Sequence, residues 1–237
     1  MRAMIFAAGR GERMRPLTDH TPKPLLEVGG KRLIEWHLEK LAAAGVQRVV
    51  INTSWLADQI PAALGDGSRW GLGIEYLYEG PQPLETGGGM LNALPLLGAA
   101  PFWLVNGDVF TDFDYADLPR QPRGLAHLLM VDPPEQAAQG DFAVDQHGQL
   151  QTEGSRRLTY SGIGVYRPQL FEHWAEVIGE LPTADRSPPR FRLAPLLRAA
   201  IARGEISAEH YRGRWIDVGT PERLQALRCL LSADFAD

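Results

Sequence analysis

The chemistry this sequence can do is concentrated in a few charged residues that follow apolar runs. Ala3 to Ala8 is short and apolar, Gly9-Arg10-Gly11 follows at once, and Glu12, Arg13, Arg15 and Lys23 come next. A buried strand that ends in glycines can turn tightly and bring bare N–H groups close to a ligand. Cations held beside such amides suit phosphate. Two carboxylates stand in comparable settings later. Asp108 ends Asn106-Gly107-Asp108 after the apolar run Phe102 to Val105, and Asp217 lies in Trp215-Ile216-Asp217-Val218-Gly219-Thr220-Pro221-Glu222. One aspartate after a strand reads as a turn residue. The recurrence of the pattern makes the pair a candidate.

Two phosphate loops are excluded. No G-x-x-x-x-G-K-[ST] string occurs, so this is not a P-loop. A dinucleotide fingerprint needs a third glycine for close helix packing, and Met14 holds that place, with Pro16 just beyond. Pro16, Pro22 and Pro24 fix φ along the basic stretch, which predicts a stiffened loop.

The string AAGRGERMRPLTDHTPKPL resembles the N-terminal signature of the sugar-1-phosphate nucleotidyltransferases, a GxGxRxxPLTxxxPKP-like run, and the resemblance extends over nearly the whole length. Members join a nucleoside triphosphate to a sugar 1-phosphate and release pyrophosphate. The resemblance implies a Rossmann-like α/β fold with a doubly wound, mostly parallel sheet and an appended sugar-binding half. It implies UTP and a sugar 1-phosphate as substrates and Mg²⁺ as cofactor, with a mannose 1-phosphate guanylyltransferase as the alternative. By position in the motifs, Ala8, Gly9, Gly11, Glu12, Arg13 and Lys23 meet the nucleotide, as do Glu85, Gly87 and Gly88 of Leu84-Glu85-Thr86-Gly87-Gly88-Gly89. Asn106, Gly140 and Glu153 meet the sugar, although the usual Glu-Lys-Pro string around Glu153 is absent. The WxDxGTPE string matches the family's second metal aspartate, so Asp108 and Asp217 are the expected metal ligands, and Arg13 and Lys23 the expected catalytic cations. A sugar phosphate is already anionic near neutral pH, so no general base is required.

The elements that must position these residues follow from periodicity. Lys31 to Ala44 has helical spacing, with Leu33, Ile34, His37, Leu38 and Leu41 on one face, and His37 reads as a core histidine. Gln47 to Asn52 and Gly71 to Tyr78 read as strands, and Trp55 to Leu64 as a helix. The alternation predicts a parallel sheet whose strand ends carry the ligand site. Three glycines opening the helix that runs to Leu97 predict a close backbone approach to a ligand, with free N–H groups at the helix start. Leu125 to Val131 and Leu158 to Tyr166 read as strands, and Asp141 to Val144 with Gln149 to Thr152 as a hairpin closed near His147-Gly148. Leu181 to Phe191 reads as a proline-rich surface loop. Arg192 to Arg203 reads as a helix, Ser207 to Tyr211 and Trp215 to Val218 as strands. Thr220 and Pro221 then cap and open a last helix. Residues 1–110 are the expected nucleotide half and 111–237 the sugar-phosphate half of a single domain.

Composition sets the outer bounds. The 237 residues are 44% apolar, enough for one large α/β domain, and the net charge of −5 argues against a broad nucleic-acid surface. No apolar run reaches the roughly eighteen residues of a membrane span, and the N-terminal run is too short for a signal peptide, which predicts a cytoplasmic protein. The single cysteine, Cys229, offers no disulfide framework and is expected to be a packed, inert thiol on the last helix.

Overall fold

Nearly every apolar run between a helix and a turn becomes a strand in the structure, a computed structural model that describes residues 1–180 and 188–234. The result is the expected α/β class, with a mixed, mostly parallel central sheet. The chain divides into two units that interleave along the sequence. One comprises Met1–Met4, Leu84–Leu104 and Asp117–Arg212, the other Ile5–Pro83, Val105–Ala116 and Gly213–Asp237. These units are discontinuous, whereas the halves read from the sequence run 1–110 and 111–237.

In the unit that holds most of the N-terminal region, Arg48–Thr53 and Gly73–Tyr78 run parallel, with Arg48 opposite Gly73 and Thr53 opposite Tyr78. A small antiparallel ladder pairs Val109–Thr111 with Trp215–Asp217. One core cluster gathers Met14, Leu26, Val28, Leu33, Phe110, Val218, Leu224, Leu227 and Leu231, with Trp36 edge-on to Phe110. It joins residues from the phosphate loop, the first helix and the last helix around the short ladder.

The other unit is built on Ala126–Val131, which pairs parallel with Ile206–Tyr211 and antiparallel with Arg157–Tyr166. The expected hairpin forms from Phe142–Val144 and Leu150–Gln151. Its turn is fixed by Asp145 Oδ1, which accepts from the N–H of His147 and of Gln149, with Gly148 at φ 75°.

Some boundaries differ from the sequence reading. The first helix is Leu33–Ala43, because Lys31–Arg32 pairs with Glu27–Val28 as a short ladder. The helix expected from Trp55 starts only at Gln59. Trp55 donates its indole N–H to the Thr18 carbonyl at 3.0 Å, and Leu56 takes φ 51°, which is incompatible with a helix. Phe191 is buried and stacks on Trp174 at 5.1 Å instead of lying in a surface loop, and 181–187 fall outside the described residues. Cys229 is exposed, contrary to expectation. Leu224, Leu227 and Leu231 set the buried stripe of helix Pro221–Asp234, and a residue at 229 falls off it.

His37 is a core histidine, as its place on the apolar face predicts. Its Nδ1 lies 2.7 Å from the Tyr115 hydroxyl and its Nε2 2.8 Å from the Val109 carbonyl. Burial raises the Tyr115 pKa, so the phenol keeps its proton and donates to Nδ1, and Nε2–H donates to Val109. Burial pushes the imidazole down from 6.5 to about 4. The unfolded chain therefore binds a proton that the folded chain refuses. This contribution is intact above pH 6.5 and is lost as pH falls toward 4, by about 3 kcal/mol across the window. Urea unfolding between pH 7.5 and 4.5 should show this slope, and His37→Gln should flatten it. An unchanged slope in the variant would place the titration elsewhere.

Candidate active site

The candidate phosphate loop, Gly9 to Lys23, hangs from a buried anchor. The N–H of Ala7 donates to Asn52 Oδ1 at 2.8 Å, and Asn52 Nδ2 donates to Glu79 Oε1 at 2.8 Å. Asn52 is 2% exposed and Ala8 is buried. From that fixed point the chain emerges, and Gly9, Arg10, Glu12 and Arg13 are exposed. A Cβ on Gly9 would meet nothing within 4 Å. Gly11 is different. It has φ 64°, a Cβ there would lie 2.8 Å from Thr18 Cγ2, and its carbonyl accepts from Met14 N–H and the Thr18 hydroxyl. The basic stretch is ordered into short helical turns at Glu12–Met14, Leu17–Asp19 and Lys23–Leu25.

Both aspartates reach this loop's unit. Gly107 donates its N–H to the Phe6 carbonyl at 2.9 Å, and a Cβ there would lie 2.6 Å from that same oxygen. Only glycine lets the end of Phe102–Asn106, with half-buried Asn106, sit so close to the end of Arg2–Phe6. Asp108 follows in the turn. Its carbonyl accepts from Val218 N–H at 3.0 Å, and Asp217 is the Cα partner of Val109. Such partners lie about 5 Å apart, so the two aspartates occupy adjoining backbone positions. Lys23, buried to 9% exposure of its side chain, places Nζ 2.7 Å from Asp108 Oδ2. Asp217 Oδ2 is 2.7 Å from Arg223 Nη1.

Arg223 was not singled out from the sequence. A signal was present, because an arginine in the first turn of a helix opposes the macrodipole and needs an anionic partner. Among the described residues no group of three or more His, Cys, Asp or Glu side chains is placed to hold a metal. A two-carboxylate site fits an ion that keeps phosphate and water ligands.

In the other unit the glycine run behaves differently from expectation. The N–H groups of Gly87 and Gly88 both donate to the Phe191 carbonyl, at 2.9 and 3.0 Å. A Cβ on Gly88 would lie 2.2 Å from the Pro189 carbonyl, and one on Gly87 2.5 Å from the Phe191 ring. The close approach is real, but the chain's own segment makes it, and these amides are not free. Glu85 takes φ 63° and pairs with Arg190 at 2.8 Å and Arg192 at 3.8 Å. Gly140 and Glu153 are brought to one place, the start of Arg157–Tyr166. A Cβ on Gly140 would lie 2.9 Å from the Arg157 carbonyl carbon, and Glu153 lies 3.7 Å from Arg157 Nη1. The Glu153 side chain is 90% exposed, so that ion pair contributes little to stability.

Gly107 and Gly9 predict opposite outcomes. Gly107→Ala forces a methyl against the Phe6 carbonyl and should cost about 1–3 kcal/mol by chemical denaturation. Gly9→Ala, with open space around its Cβ position, should leave the denaturation midpoint unchanged.

The model of the Nucleotidyl transferase family matches residues 2–232. An N-acetylmuramate alpha-1-phosphate uridylyltransferase of Neisseria meningitidis is 45% identical, across 98% of this chain and 99% of that protein. The enzyme of the same name from Caulobacter vibrioides is 31% identical, across 97% of this chain and 96% of that protein. A mannose-1-phosphate guanylyltransferase of Mycobacterium tuberculosis is 32% identical, across 93% of this chain and 61% of that protein. In fold, the chain superposes with TM-score 0.79 and 20% identity on a structure described as a glucose-1-phosphate thymidylyltransferase from Bacillus anthracis, covering 98% of this chain and 95% of that one. A match over nearly its whole length, with the glycine loop and both aspartates gathered in one unit, makes this chain a member of the Nucleotidyl transferase family.

Proposed function

We propose that the chain transfers the uridylyl group of UTP to N-acetylmuramate α-1-phosphate, giving the UDP-sugar and pyrophosphate. The observation that carries the reaction type is the adjoining placement of Asp108 and Asp217, through Val218 N–H and the Asp108 carbonyl at 3.0 Å, in the unit that also holds Arg13 and Lys23. The likeness to the Neisseria enzyme over both full lengths supports the choice of substrates.

Asp108 and Asp217 are hard oxygen donors and fit Mg²⁺, which when bound neutralises charge on the reacting phosphate oxygens. The rest of the work falls to the chain's own groups. The amides of Ala8, Gly9 and Gly11, with Glu12 beside them, frame the triphosphate. Lys23 stabilises charge at the α-phosphate, and Arg13 stabilises the departing pyrophosphate. A phosphate oxygen of the sugar 1-phosphate forms the new bond to the α-phosphorus as the bond to pyrophosphate breaks, and no proton need be moved. Ser207 and His127 do touch, at 2.9 Å, but as register partners of a parallel ladder with Ser207 buried, not as a nucleophile and base. Catalysis is positioning plus electrostatics. Asn106, Gly140 and Glu153 contact the sugar. The Gly87 and Gly88 amides are donated to Phe191, so in that segment the Glu85 side chain is assigned to the nucleotide.

A second reading, a guanylyltransferase for mannose 1-phosphate, is favoured by the Mycobacterium relative, although the chain covers only 61% of that protein. Pyrophosphate release from the four nucleoside triphosphates against a set of sugar 1-phosphates decides between them. UTP with N-acetylmuramate α-1-phosphate should exceed every other pair at least about tenfold in kcat/KM, a gap of about 1.4 kcal/mol. Asp108→Ala and Asp217→Ala should each lose about a thousandfold or more while staying folded. Full activity in either variant would reject the assignment.

A further inference from the structure

Each carboxylate of the aspartate pair is already held by a cation of this chain. Asp108 Oδ2 takes the Lys23 ammonium and Asp217 Oδ2 the Arg223 guanidinium, both at 2.7 Å. Arg223 also reaches the main-chain oxygen of Asp217 at 3.3 Å, so it grips that residue twice. Around Gly219 the crowding is plain. A Cβ there would lie 3.0 Å from Asp217 Oδ2, 3.1 Å from Arg223 Nη1 and 3.3 Å from Arg13 Nη2. The glycine leaves room for two guanidinium groups beside one carboxylate.

A divalent cation needs the oxygens that these cations hold. Lys23, Arg13 and Arg223 against Asp108 and Asp217 give a local surplus of positive charge, which disfavours a free dication and favours a polyanion. Arg13 and Lys23 sit on the phosphate-loop stretch and can transfer their charge to a triphosphate. Arg223 belongs to the first turn of helix Pro221–Asp234, where the macrodipole disfavours a cation, so helix stability does not explain its place.

We propose that Arg223 is a resident counter-cation for Asp217 which, with Lys23 on Asp108, keeps the carboxylate pair closed to free divalent cations until a nucleoside triphosphate draws the charge away. Metal and triphosphate then enter as a unit, and Arg223 acts as a positioning residue that sets this order. The inference rests on the reading of Asp108 and Asp217 as the metal-holding pair.

Mn²⁺ titration of the full chain, followed by electron paramagnetic resonance and water-proton relaxation, tests it without turnover. Wild type should bind Mn²⁺ only weakly alone and tightly with UTP, measured against Mn²⁺ and UTP without protein. Arg223→Gln should bind Mn²⁺ without UTP at least about tenfold more tightly than wild type. Arg223→Lys, which keeps the charge, should exclude free Mn²⁺ as wild type does. Lys23→Gln gives the same readout from the other pair should Arg223→Gln fail to fold by circular dichroism. Equal uptake of free Mn²⁺ by wild type and Arg223→Gln overturns the proposal. Undiminished uptake with UTP in Asp108→Ala and Asp217→Ala overturns instead the reading of the metal pair.

Discussion

The antiparallel ladder between Val109–Thr111 and Trp215–Asp217 is the constraint on which the candidate site depends. It brings together two aspartates from distant parts of the chain, and the Val218 N–H to Asp108 carbonyl bond extends it into the turn that holds the first of them. Closing so long a loop costs conformational entropy, although the cost grows only slowly with length. The ladder is short, so its own hydrogen bonds are a weak return. What holds it is the apolar cluster in which Phe110, Val218 and Leu224 meet Met14 and Leu33. The free end is tied as well. The Thr111 hydroxyl donates to the Arg214 carbonyl at 2.9 Å, and Arg214 N–H donates to Asp112 Oδ1 at 2.7 Å. Asp112 is exposed and serves as this tie. His37 adds a neutral hydrogen bond to the Val109 carbonyl, one residue from Asp108.

Anchoring by uncharged groups recurs in the phosphate loop, and there is a physical reason for it. Asn52 fixes the Ala7 amide without bringing a charge of its own, and Thr18 fixes the Gly11 carbonyl in the same way. Under the proposed function, a charged anchor beneath the loop would compete for the amides and cations that meet the triphosphate. The groups that touch the loop, Asn52 and Thr18, are uncharged, with the Glu79 carboxylate one step behind Asn52, and the loop that leaves them carries exposed Arg10 and Arg13. A group positioned by a rigid neighbour loses little entropy when its ligand arrives, which is where a catalyst relying on placement gains most.

The sequence disclosed the parts of the site whose reasons are local. Gly11 must be glycine because the chain there takes a left-handed φ of 64°. Gly107 must be glycine because the strand it ends runs against the Phe6 carbonyl, and the apolar run before it announces that strand. Asp108 and Asp217 stand out as candidates because one follows a strand in its turn and the other ends one, and Arg13 and Lys23 because they follow a glycine loop. What it did not disclose is long-range. The glycines at Gly87 and Gly88 announce a close approach without naming the approaching partner, and the partner is Pro189 to Phe191. The exposure of Cys229 depends on the phase of one helix, which Leu224, Leu227 and Leu231 set only once their neighbours from the first helix are in place. Arg223 lies six positions beyond Asp217, outside the repeat that pairs helical side chains. The backbone must turn at Gly219 and Thr220 before the contact exists.

The same residue type therefore does opposite work in the two units. At Gly9 the missing side chain leaves an amide open, with nothing within 4 Å of where a Cβ would stand. At Gly87 and Gly88 it lets two amides be satisfied internally, which removes them as donors. Under the proposed function, this divides recognition by chemistry. Phosphate, which every nucleoside triphosphate shares, meets open amides and cations on the first loop. In the Leu84 to Gly89 segment the Gly87 and Gly88 amides are already taken, and Glu85 is its ionisable side chain. Its φ of 63° costs a non-glycine residue about 1–2 kcal/mol. Glycine would relieve that strain but would remove the carboxylate that Arg190 and Arg192 hold in place. A carboxylate kept in a conformation that glycine fills more cheaply has its reason in what the side chain contacts, not in the path of the backbone.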